Sequence, residues 1–210
     1  MPAYFDLALQ FRRRDIRPGF VTRFHRALEE AGVAFVSGFL EYADLSQEEI
    51  AAWNQRKLEE NFTLEDTAHF SHDYRQSVYR LGDYSEVRGF WLNQDPEEDE
   101  FTYYLILPEA EVLTREDGQF FRPEGEAELL ALAQRLWQFP PVGAIQSELE
   151  LDGPTVGLEA LGRGESPILD PFAILEPDYS PKEEGLRVTA LAWGRPGLLV
   201  QEGVPRRHWI

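Results

Sequence analysis

Apolar and polar positions alternate near the start of the chain. Phe5, Leu7 and Leu9 are set against Asp6, Ala8 and Gln10, which predicts a half-buried strand. Pro18 then stands where a first helical residue belongs, and Phe20, Phe24, Leu28 and Ala31 follow at helical spacing. Gly32 is placed to close that helix in a left-handed cap, which puts a helix over residues 18–31. Residues 33–40 form an apolar run without alternation and read as a strand buried on both faces. Ser46 and Glu49 have the spacing of a capping box, and Ile50, Trp53 and Leu58 supply the apolar stripe of a helix over 46–60. Residues 62–72 carry no period and read as a loop or an irregular helix.

A meander of three strands follows, at Tyr74–Leu81, Val87–Leu92 and Phe101–Leu107. Gly82-Asp83 turns the first connection, and the polar run Asp95–Glu100 must be exposed in the second. In the middle strand Val87, Gly89 and Trp91 alternate with Arg88, Phe90 and Leu92. Residues 119–121 are strand-like. Pro123 opens a helix over 123–138, with Glu124, Glu126 and Glu128 early, where acids favour the helix dipole. Its buried stripe is Leu129, Leu132, Ala133, Leu136 and Trp137, and Pro140-Pro141 stops it. Ile145, Ser147, Leu149 and Leu151 predict a one-sided strand, and residues 152–166 a Gly-rich loop. Residues 168–175 predict a strand that Pro171 places at a sheet edge. Residues 186–193 and 198–201 predict a hairpin around the turn Gly194–Gly197.

Together these elements predict an α+β fold: mostly antiparallel sheet covered by about three helices, with residues 1–210 as a single compact unit. Each half runs strand, Pro-started helix, strand and strand cluster. This ordering raises an internal pseudo-repeat of sub-halves 1–110 and 118–210.

Charge changes the picture most. Thirty-eight acidic residues face twenty basic ones, a formal net charge of −18. Such a field repels nucleic acid and anionic membrane and attracts a basic protein partner. A hydrophobic fraction of 43 % with 13 % aromatics is enough for a packed core, so the charge does not signal disorder. With no cysteine there is neither a disulfide nor a thiolate metal site, which fits a reducing compartment. No apolar stretch approaches the roughly 20 residues needed to cross a bilayer. Asp6 comes before the basic run Arg12-Arg13-Arg14, the reverse of the order in a secretory signal, so a cytoplasmic protein is expected. Lys57 and Lys182 are the only lysines; the other cations are arginines, which favour bidentate pairing with carboxylates.

Candidate chemistry is sparse. His69 and His72, three residues apart beside Asp73, are the best metal ligands on offer and underlie one reading, a metal-dependent enzyme. The glutamate doublets lie in polar contexts and lack the asymmetric burial of an acid–base pair. Gly157–Gly164 lacks the Gly-Lys-Ser/Thr ending of a phosphate loop, and no cofactor is expected. The strongest hint is a negative stripe: residues 95–128 carry twelve acids against Arg115 and Arg122. Trp91 and Tyr103 flank its densest part, Asp95, Glu97, Glu98, Asp99 and Glu100. Aromatics beside acids predict a surface for a cationic partner. The leading expectation is an acidic protein-binding module, for example an immunity or inhibitor protein that neutralises a basic toxin or enzyme. Besides the enzyme, the remaining alternative is a structural subunit that pairs with its own copies through edge strands.

Overall fold

The structure, a computed structural model, describes residues 3–63, 72–93, 99–114, 120–149 and 155–203. Its first half contains β1 (Tyr4–Arg12), α1 (Phe20–Glu30), β2 (Ala34–Gly38), α2 (Gln47–Glu59), β3 (Ser77–Arg80), β4 (Val87–Leu92) and β5 (Glu100–Pro108). A short α3 (Glu109–Val112) leads to a ribbon of β6 (Leu113–Thr114) and β7 (Phe120–Phe121). The second half adds α4 (Pro123–Leu136), β8 (Val142–Leu149), α5 (Leu158–Gly162), β9 (Phe172–Leu175), β10 (Leu186–Ala190) and β11 (Leu198–Glu202).

Nine of these strands form one sheet in the order β10-β11-β9-β8-β1-β5-β4-β3-β2, and every paired neighbour is antiparallel. The expected α+β class with a mostly antiparallel sheet is therefore observed, with five helices among the described residues rather than three. The strand order gives the pseudo-repeat no support. The strand after the first half's helix, β2, lies at the edge, whereas β8, after α4, lies beside β1 in the middle.

Period-two alternation decides which face of each strand is buried where. Phe5, Leu7, Leu9 and Phe11 of β1 join Phe101, Tyr103, Leu105 and Leu107 of β5 beneath α1, α2 and α4. Phe20, Val21, Phe24 and Leu28 are the matching stripe of α1, and Leu129, Leu132, Ala133 and Leu136 that of α4. Phe11 stacks on Phe101 with centroids 5.4 Å apart, inside a cluster that includes Phe20, Phe24 and Trp91. The opposite face is covered over β8, β9 and β11 by Leu158 and Leu161 of α5. Gln10 and Gln146 also lie on that face. The Gln146 amide donates to Gln10 Oε1 (2.6 Å) and to the Val156 carbonyl (2.8 Å), which ties the segment before α5 onto the sheet.

The capping signals hold. Ser46 Oγ accepts from the Glu49 amide and Glu49 Oε2 accepts from the Ser46 amide (2.9 Å), so both halves of the capping box are formed. Gly32, at φ +96°, closes α1. Other expectations are corrected. Pro18 precedes α1 rather than starting it, because Gly19 takes the N-cap in a left-handed conformation. Residues 33–40 hold only a five-residue strand at the sheet edge, with Val36 55 % exposed, so it is not buried on both faces. Pro171 lies just outside β9, which frees that strand to sit between β8 and β11. The Gly-rich stretch contains α5, and the β10–β11 connection spans Leu191–Gly197.

Candidate functional site

A groove of about 800 Å³ lies between the β3–β4 turn and α4. Leu81 brings a half-exposed apolar side chain to its lining, over Leu129 and Leu132, which belong to the core. Asp83, Glu111, Glu124 and Glu128 contribute carboxylates to its lining, against the guanidinium groups of Arg122 and Arg135.

Each side chain reaches the groove for a local reason. Leu81–Tyr84 is a tight turn closed by the Tyr84 amide on the Leu81 carbonyl (3.2 Å), with Gly82 at φ +49°. Glu111, on the one-turn α3, reaches across to that turn. It accepts from the Ser85 amide at 3.0 Å and from the Ser85 hydroxyl. Helical spacing puts Glu124, Glu128, Leu132 and Arg135 along one side of α4. Arg122 donates to the carbonyls of Leu113 (3.1 Å) and Ala110 (2.9 Å), and Arg135 to the Ala31 carbonyl at the end of α1 (2.9 Å). Both guanidinium groups are thus held by backbone acceptors. The half-buried Tyr84 senses the result: burial raises its phenol pKa, Glu128 and Glu111 raise it further, and Arg122 opposes them.

The aromatics expected to flank a docking surface are core residues. Trp91 and Tyr103 are each 1 % exposed, and their rings pack on one another at 4.7 Å and on Phe24. The alternation that points Val87 and Gly89 inward points Trp91 inward too, so neither ring can meet a partner. Asp95, Glu97 and Glu98 lie outside the described residues. Asp99 is exposed, and its carbonyl accepts from the Arg13 amide (3.1 Å). Glu100 is used within the fold, where its Oε2 accepts from the Leu158 amide (2.6 Å) at the start of α5.

Of the metal candidates, His72 and Asp73 fall among the described residues. His69 is outside the described residues and His72 is exposed. The Asp73 carboxylate accepts from the Tyr74 amide (2.6 Å), and burial raises its pKa. Among the described residues no group of three His, Cys, Asp or Glu could hold a metal ion. His25, the other histidine described, is buried in α1.

The sequence missed two clusters formed by distant segments. Asp6 and Glu148 are register partners on β1 and β8, and both charges act on the nearby Tyr104. The Tyr104 hydroxyl lies 2.9 Å from that of Thr155, and burial, opposed in part by this contact, pushes its phenol up to about 12. A second cleft of about 500 Å³ is lined by Arg12, Arg14, Leu158, Leu175, Glu176 and Tyr179, among others. No signal short of the strand register brings these residues together.

Ion pairs join Arg88 to Glu86, Arg163 to Glu159 and Glu165, and Arg195 to Glu176. Other arginines bind carbonyls or rings, as Arg75 does over Trp53 at 3.8 Å.

No protein-family model matches the chain, and comparison with curated proteins and with solved structures finds no similar sequence or fold. No helix among the described residues is long and apolar enough to cross a membrane.

Proposed function

We propose that this protein is an acidic binding module that takes a basic, partly apolar segment of a partner protein along the groove between the β3–β4 turn and α4. The observation that carries this reading is the pairing of an apolar floor, the half-exposed Leu81 over the core residues Leu129 and Leu132, with carboxylates from three separate elements, Asp83, Glu111 and Glu124 with Glu128. The floor supplies burial, and the carboxylates select lysine or arginine and speed encounter. Three of those four acids, Glu111, Glu124 and Glu128, belong to the negative stripe evident in the sequence. An immunity or inhibitor protein that covers the active site of a cationic toxin or enzyme is a concrete form of this reading.

The test uses a short synthetic peptide of alternating arginine and leucine, with binding followed by fluorescence anisotropy at low salt. Glu124→Lys with Glu128→Lys is expected to weaken binding by about tenfold or more, as loss of complementary rim charge does. Glu183→Lys with Glu184→Lys changes the net charge equally at exposed positions away from the groove lining. Equal losses in the two variants would show that only net charge matters and would remove the groove from the argument.

A further inference from the structure

β2 ends the nine-stranded sheet, and its outer edge has no strand partner among the described residues. Edge strands in natural proteins are usually blunted by charge or proline. The other edge, β10, carries the exposed Arg187. β2 reads Ala34-Phe35-Val36-Ser37-Gly38 and has neither device.

Two of the three exposed large apolar residues among those described lie here; the third, Trp193, is in the β10–β11 connection. Val36, at the register shift between Phe35 and Ser37, is 55 % exposed, and Leu40, just past the strand, is 70 % exposed. Leu40 also has a φ of +52°, a left-handed conformation unfavourable for a side chain of its kind. The surrounding turn enforces it. Phe39 donates to the Gln76 carbonyl (3.2 Å) and Tyr42 to the Phe39 carbonyl (3.2 Å). The backbone folds back so tightly that a Cβ on Gly38 would overlap the Tyr42 carbonyl. The chain therefore maintains a strained turn whose outcome is a leucine presented to water.

Charge identifies the occupant. β2, β3 and β4 contain no carboxylate, in a molecule of net charge −18; Arg80 is exposed there, whereas Arg88 is paired with Glu86. Two copies of so acidic a protein repel one another least where acids are absent. In an antiparallel, two-fold contact the far end of one β2 meets the near end of the other. That brings the exposed Glu41, just beyond the end of β2, towards the exposed Arg80, which is the register partner of Ala34 at its start.

We propose that β2 is a self-association edge, across which two copies pair antiparallel so that Val36 and Leu40 of each are covered by the other. This interface is independent of the groove and stands or falls without it.

Light scattering and sedimentation on the full chain test the proposal, across a concentration series at physiological salt. The expected mass is twice 24.2 kDa. Val36→Lys with Leu40→Lys, both at exposed positions, is expected to return the mass to one chain while leaving the thermal melt cooperative. Arg80→Glu is expected to weaken association, and Arg80→Glu with Glu41→Arg to restore it. Glu124→Lys with Glu128→Lys, in the groove, is expected to leave the mass unchanged. A wild-type chain that stays monomeric at every concentration overturns the proposal. So does a Val36→Lys, Leu40→Lys variant that remains dimeric, or a charge swap that restores nothing.

Discussion

The Tyr79 hydroxyl lies 2.7 Å from the Tyr103 hydroxyl, and both side chains are buried beneath the helices. Gly89, register partner of Leu105 and Ser77, runs between them, and any Cβ there would overlap the Tyr103 hydroxyl and crowd the Tyr79 ring. The glycine in the middle of β4 is thus the space that two phenols fill. Burial pushes the Tyr79 phenol up to about 12 and the Tyr103 phenol well above its ordinary value, so the pair stays neutral and hydrogen-bonded throughout the physiological range.

Gly89→Ala is therefore expected to destabilise the protein by about 2–3 kcal/mol in urea unfolding, as overpacking a close-packed core does. Tyr103→Phe alone removes the hydrogen bond between buried partners, for a loss of about 1–2 kcal/mol. The double variant should lose less than the two single losses added, because the phenylalanine withdraws the atom that the new methyl meets. Simple additivity would show that the clash is absorbed elsewhere.

His25 gives the stability a pH dependence with a definite sign. Its burial in α1 pushes the imidazole pKa down to about 4, from an ordinary 6.5. As pH falls below 6.5 the unfolded chain takes up this proton before the folded one does, so stability is lost between 6.5 and about 4 and not above. His25→Leu removes this contribution. The stability difference between wild type and variant should shift against the wild type by about 2–3 kcal/mol between pH 7 and pH 4.5. A difference that is flat over that interval would mean that His25 takes up its proton at the same pH in the folded chain as in the unfolded one.

Glu100 separates the structural reading of one acid from the docking reading that the sequence favours. Its carboxylate accepts the Leu158 amide hydrogen, and its carbonyl accepts from Arg13 (3.3 Å). Glu100→Gln should destabilise by about 1 kcal/mol, since it weakens a charge-assisted hydrogen bond at the start of a helix. It should also speed amide exchange at Leu158, while binding of the arginine–leucine peptide stays unchanged. If peptide affinity falls as far as it does for Glu124→Lys with Glu128→Lys, Glu100 belongs to the binding surface after all.

What the sequence disclosed and what it hid follow from the range of the forces involved. The capping box at Ser46 and Glu49, the proline that opens α4 and the glycine that closes α1 are local, and they placed helices close to where they stand. The inward row Val87, Gly89 and Trp91 was equally legible; extended to Trp91 it already placed that ring in the core rather than beside the acidic loop. An apolar run such as residues 33–40 says only that side chains avoid water somewhere. Whether such a strand lies central or at an edge depends on β3, far along the chain, and on nothing beyond it. The groove was hidden for the same reason. Asp83 comes from a turn, Glu111 from a four-residue helix and Glu128 from α4, and only the assembled sheet makes them neighbours.

The groove combines two forces that salt can separate. Attraction between its carboxylates and a cationic peptide weakens as the Debye length shrinks from about 10 Å at 0.1 M to about 3 Å at 1 M. Burial against Leu81 does not. The affinity of the arginine–leucine peptide should therefore fall with salt and level off rather than vanish. Glu128→Gln should flatten the salt dependence and leave the high-salt affinity in place. Leu81→Ser, at a half-exposed floor position, should do the opposite: it lowers the high-salt affinity and leaves the slope unchanged. A peptide in which serine replaces leucine should behave towards the wild type as the parent peptide behaves towards Leu81→Ser. If affinity instead vanishes at high salt for every variant, the floor contributes nothing, and the interaction is that of any acidic surface with any polycation.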